Sequence, residues 1–145
     1  MVFIQPDNPM PNVDLVYQHA LDRLGAVGFA ALSERERDLA TLWHVEAEVT
    51  NGGFLHYFSG AAGATAYHAP DALARVGALE KSGIVRAANA LFGPAGPPRD
   101  RKERLAAIKA LSARDLATID DLEKRYYNDP VDVDELVEDA ASKMG

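Results

Sequence analysis

The chain has 145 residues, 48% of them hydrophobic, with no cysteine and a net charge of −7; this fits one domain with a sizeable core and excludes disulfides, thiol catalysis and cysteine-ligated zinc. The charge is uneven: residues 115–145 hold ten of the 22 acids and three of the 15 bases, and the remaining 12 acids and 12 bases cancel. Clustered lysine and arginine are missing, so direct nucleic-acid binding is not expected, whereas a basic protein surface is a fitting partner.

Pro6, Pro9 and Pro11 make residues 1–11 a non-helical arm. It lacks a basic leader, and no apolar run approaches the roughly 18 residues of a membrane span, so a cytoplasmic protein without membrane contact is expected. From a cap at Asn12 or Asp14, Val13, Val16, Tyr17, Ala20, Leu21 and Leu24 recur at helical spacing. Ser33 and Glu36 then read as a capping box, in which each side chain serves the other residue's backbone amide. The helix it opens carries Leu39, Leu42, Trp43, Glu46 and Val49 to a stop at Asn51-Gly52-Gly53. Glycine ends a helix in the left-handed region without a Cβ penalty, and Phe54, Tyr57 and Phe58 follow on one face of a second helix.

Residues 59–64 are small and read as a loop, and Pro70 suits the first turn of a helix bearing Ala72, Leu73, Val76 and Leu79. Ser82-Gly83 should interrupt that stripe before Ile84, Val85, Ala88, Leu91 and Phe92. Residues 93–98, with three prolines and two glycines, form the sharpest break. Residues 100–111 form a basic amphipathic helix, with Leu105, Ile108 and Leu111 inward and Arg101, Lys102, Arg104 and Lys109 outward. Ser112 and Asp115 form a second capping box ahead of Leu116, Ile119, Leu122 and Tyr126, and Asn128-Asp129-Pro130 ends that helix. Asp132 or Asp134 caps a last one, with Val133, Leu136, Val137, Ala140 and Met144 along one side. No window alternates as a strand would, so residues 1–145 should form one all-α bundle of about six to eight helices, with residues 115–145 as its acidic end.

Asn51-Gly52-Gly53-Phe54, preceded by Glu48 and followed by Tyr57-Phe58, with Ala72-Leu73 and Gly77-Ala78 further on, resembles the signature of the DNA-mimic protein nineteen family. These are small all-α bacterial proteins carrying a domain of unknown function. Thr50, His56 and Ser59-Gly60 depart from the usual residues but leave the turn and the aromatic cluster intact. The resemblance implies a non-enzymatic protein-binding module, a homodimer, and a partner that is a DNA-binding transcription regulator. The acidic positions lie outside the family motif, and their assignment rests on charge alone. Asp115, Asp120, Asp121, Asp129, Asp132, Asp134, Glu135, Glu138 and Asp139 are the candidate partner-binding carboxylates, because DNA presents one negative charge per roughly 1.7 Å of axis and rows of carboxylates can imitate it. Acids in a first helical turn also simply stabilise the helix, so the same residues have a structural reading.

Other chemistries are weakly signalled. His44 and Glu48, with Glu46, His56 and His68, lack the tight spacing of a helical metal motif, and no metal or cofactor is expected. Ser33 and Ser112 are explained as caps, and no nucleophile elbow or phosphate loop occurs. The alternative function is a small-ligand pocket or a carboxylate enzyme around Glu46, Glu48, Asn51, His56 and Tyr57. Against it, asparagine before Gly-Gly is a turn former, so Glu48, Asn51, Gly52, Gly53, Phe54, Tyr57 and Phe58 are read as fold-determining.

Overall fold

A computed structural model describes residues 13–144 and, among them, seven α-helices and two short 3₁₀ segments. The arm of residues 1–11, a cap at Asn12 and the Met144 side chain lie outside what is described. Helix α1 spans Val13–Val27, α2 Glu34–Ser59, α3 Ala69–Val76, α4 Leu79–Ala90, α5 Arg101–Lys109, α6 Ala113–Asn128 and α7 Val133–Met144. Asp14 therefore sits inside the first turn of α1. The 3₁₀ segments are Phe29–Ala31 and Ala61–His68. The latter occupies the stretch expected to be a loop, because alanines there turn inward and Ala66 is fully buried.

Helix α2 is the axis of the bundle, touching α1, α3, α5, α6 and the second 3₁₀ segment, while α7 lies against α1 and α3. Its start is the predicted capping box: Glu36 N donates to Ser33 Oγ at 3.1 Å and Ser33 N donates to Glu36 Oε1 at 2.9 Å. The stop at Asn-Gly-Gly is narrower than the sequence suggested. Asn51 and Gly52 remain helical, and one residue, Gly53 at φ 83° and ψ −176°, breaks the helix before it resumes at Phe54. That φ lies where side chains with a Cβ are strained, so Gly53 carries the bend.

The bend aims Phe54, Tyr57 and Phe58 into the core, where all three are fully buried. Phe54 stacks on Phe58 at 5.9 Å and meets Tyr126 of α6 edge-on, and Phe92 packs edge-on to Phe58 at 5.1 Å. Such pairs add roughly 0.5–1.5 kcal/mol each beyond burial alone. Trp43 does not join them. It stays 38% exposed while Leu42 and Val45 turn inward.

Two further expectations are corrected. The break after α3 falls at Gly77, in the left-handed region, and α4 runs through Ser82 and Gly83, leaving Leu79 exposed at its start. Ser82 is accommodated because its hydroxyl donates to the Pro70 carbonyl at 2.6 Å. Arg104 does not face solvent: it is fully buried. Its guanidinium donates to the carbonyls of Phe58, Gly60, Pro98 and Arg99 at 2.5–3.1 Å. It thereby caps the end of α2, whose last carbonyls have no helical partner, and pins the proline-rich turn against it.

Candidate functional site

The Asn-Gly-Gly-Phe signature resolves into two local devices. Resuming the helix at Phe54 leaves its N–H without a partner on α2, and Glu123 of α6 fills the gap, with Phe54 N donating to Glu123 Oε1 at 2.7 Å. A Cβ on Gly53 would collide with that carboxylate. The negative charge also sits at the start of a helical segment, where the dipole favours it. One turn earlier, His56 lies back across Gly52, where a Cβ would overlap its ring, and its Nε2 reaches Glu48 Oε2 at 2.7 Å. Gly53, Gly52, Glu48 and His56 thus build a bend and its braces, whereas Asn51, read from the sequence as a turn former, is helical, exposed and outside the left-handed region.

The residues of the alternative pocket, Glu46, Glu48, Asn51, His56 and Tyr57, do not come together in one site. Tyr57 is entombed in the core, Glu48 and His56 pair on one face, and Glu46 and Asn51 line a separate cleft with Asp14, Tyr17, Trp43, Ala47, Thr50 and Asp134. Periodicity could not have forecast this, because the kink rotates residues after Gly53 away from those before it. Of the cleft's carboxylates, Glu46 accepts a short hydrogen bond from the buried Tyr126, and Asp134 accepts from Tyr17 at 3.0 Å. Burial raises the Glu46 carboxyl above the usual range; the Tyr126 hydrogen bond and the Lys81 charge oppose that rise, and Asp134 and Asp132 add to it. Burial and the neighbouring acids likewise push Tyr17 and Tyr126 up, so both phenols remain protonated donors.

Among the described residues no group of three or more histidine or acidic side chains could hold a metal ion. His44 and Glu48 are not hydrogen-bonded to each other; burial lowers His44, with Glu48 acting in opposition. His68 instead joins a cluster that sequence reasoning missed. Its Nε2 lies 2.7 Å from Asp38 Oδ1, while Arg75 donates to both Asp38 oxygens at 2.7 Å. Burial alone would raise Asp38, but the hydrogen bonds from Arg75 and His68 outweigh it and hold the carboxyl at about 2. The partners are 30 and 37 residues away, so no local pattern announces them. Glu123 and Arg104 were hidden for the same reason.

The nine candidate acids divide into two groups. Asp115 completes the capping box of α6, Asp129 ends that helix with its backbone N–H donating to the Arg125 and Tyr126 carbonyls while one carboxylate oxygen is buried without a hydrogen-bond partner, Asp132 accepts from Glu135 N at 3.2 Å at the start of α7, and Asp134 accepts from Tyr17. Asp120, Asp121, Glu135 and Asp139 are exposed and Glu138 is half-buried. Among the described residues none of the nine is ion-paired with lysine or arginine. The bases pair elsewhere: Arg23 with Glu36, Arg75 with Asp38, Arg86 with Asp71 and Arg125 with Glu80. Among the described residues these nine acids are therefore not offset by an ion pair with lysine or arginine.

No described helix is long and apolar enough to cross a membrane. The family model described as DMP19-like protein matches residues 30–143. No curated protein and no solved structure matches the chain.

Proposed function

The chain belongs to the DMP19-like protein family, and from that premise we propose that it is a non-enzymatic binding protein whose acidic α6–α7 surface occupies the DNA-binding face of a transcription regulator. The observation that carries this reading is that, among the described residues, none of the nine candidate acids is ion-paired with lysine or arginine, while Arg23, Arg75, Lys81 and Arg86 meet acids elsewhere in the bundle. Exposed carboxylates paired with lysine would be ordinary surface decoration worth at most about 1 kcal/mol. Unpaired ones sum to a field that attracts a basic partner and raises its association rate.

Asp120, Asp121, Glu135 and Asp139 supply the surface, because no capping or hydrogen-bonding duty ties them to the fold. Asp115, Asp129, Asp132 and Asp134 add charge while holding helix ends or Tyr17. The test is competition. A basic helix-turn-helix regulator is bound to labelled duplex DNA, and the protein is titrated in at several salt concentrations. Release of DNA that weakens steeply with salt, and that disappears when those four residues become Asn or Gln, is the expected result. Salt-indifferent binding, or no release by any basic regulator, would sink the reading.

A further inference from the structure

The cleft between α1, α2 and α7 has walls of two kinds. Trp43 and Tyr17 supply aromatic surface, Glu46 and Asp134 supply carboxylates, and its volume is about 380 Å³. Trp43 is the only tryptophan in the chain, and it is 38% exposed on a helix whose adjacent apolar residues are buried. Core packing does not account for an indole in that position. Each of the two carboxylates accepts one hydrogen bond from a tyrosine hydroxyl, Tyr126 on Glu46 and Tyr17 on Asp134, which restrains it while leaving it further acceptor lone pairs. No lysine or arginine is among the described residues that line it.

The molecule already uses the same recognition chemistry on the far side of Glu46. Lys81 Nζ lies 4.9 Å from the centre of the Tyr126 ring and 3.8 Å from Glu46 Oε1, a cation placed between an aromatic face and this carboxylate. We propose that the cleft is a socket for one arginine side chain of the protein partner, its guanidinium stacked on Trp43 and its N–H groups donated to Glu46 and Asp134. Arginine fits better than lysine because a planar, weakly hydrated fork can stack and donate to two separate carboxylates at once. Tryptophan is the strongest aromatic acceptor of a cation. An incoming positive charge would also relieve the burial that disfavours the Glu46 anion. The identity of the partner rests on the function proposed above; the chemistry of the socket does not.

Because the chain has a single tryptophan, Trp43 emission reports the cleft directly. Acetyl-arginine amide is titrated against acetyl-citrulline amide, its neutral isostere, at matched ionic strength. A saturable change with the arginine compound alone is expected, with a midpoint on the order of 1–10 mM. Glu46→Gln, which retains an acceptor for Tyr126, should weaken it roughly fivefold or more. Equal responses to both compounds, or none to either, would overturn the socket without requiring any variant to fold. DNA release by the four-acid variant is measured in parallel. Release that depends on those acids, with no arginine response, removes the socket and leaves the acidic surface. A saturable arginine response, with release indifferent to those acids, keeps the socket and removes the surface.

Discussion

Toward the interior of the bundle Asp38 meets Arg75 and His68, Glu36 meets Arg23, Glu48 meets His56, and Glu123, on the inner side of α6, meets the amide of Phe54. On the outer sides of α6 and α7, Asp120, Asp121, Glu135 and Asp139 meet no cation among the described residues. The same residue types hold helices together in one region and are left to the solvent in the other. What separates them is whether a donor from a distant element reaches them. Variants in the body should therefore unfold the protein, and variants on the acidic surface should leave it folded and deprive it of a partner.

The largest loss is expected at Arg104. Arg104→Met keeps much of the buried volume but strips the donors from four carbonyls at the end of α2 and the turn behind it. Leaving buried acceptors unpaired costs about 1–3 kcal/mol apiece before relaxation, so a fall of at least about 3 kcal/mol in urea unfolding is expected. A loss below about 1 kcal/mol would mean that water replaces the guanidinium and that the clamp is not structural.

Gly53→Ala comes next, at about 2–3 kcal/mol, since it combines positive-φ strain with a collision at Glu123. Gly83→Ala sharpens the contrast. Gly83 lies within α4, exposed and with open space around a Cβ, so the same substitution should stabilise by roughly 0.5–1 kcal/mol. Equal effects at the two positions would refute the account of the bend.

These residues also mark what a sequence can reveal. The capping boxes at Ser33 and Ser112, the buried face of Phe54, Tyr57 and Phe58, and the glycine stop were legible because each depends on neighbours within four residues. Arg104 was assigned outward because its helix is basic and amphipathic, and nothing local shows that the end of α2 needs a donor. Trp43 shares the periodic run of Leu39, Leu42 and Val49, yet it stays exposed at the cleft while Leu42 and Val49 are buried. The acids of 115–139 could be counted in the sequence, but sorting them into caps and surface charge required the tertiary partners.

Asp38 should give a smaller, pH-dependent effect. Its folded value of about 2 lies below the ordinary value near 3.9. A depressed carboxyl stabilises the fold above the unfolded value and loses that contribution as pH falls through the folded one. The window is therefore from about pH 4 down to about pH 2. The site is partly exposed, so screening limits the gain to about 1 kcal/mol. Chemical denaturation of the wild type and Asp38→Asn should differ by that amount at pH 6 and converge near pH 2; a gap that persists at low pH would assign the loss to packing instead of charge.

The smallest effect on stability, and the most telling, belongs to the combined variant Asp120→Asn, Asp121→Asn, Glu135→Gln and Asp139→Asn. None of these side chains caps a helix or accepts a hydrogen bond that holds the fold, so unfolding should move by less than about 0.5 kcal/mol. It could move upward, because the change removes four like charges from a region whose net charge is −7. Binding should respond in the opposite sense, with affinity for a basic regulator falling by about tenfold or more and its salt dependence flattening. A variant that unfolds would place these acids with Asp38 and Glu123, as parts of the scaffold. One that stays folded and still displaces DNA at full strength would confine recognition to the Trp43 cleft, where Glu46 and Asp134 remain charged.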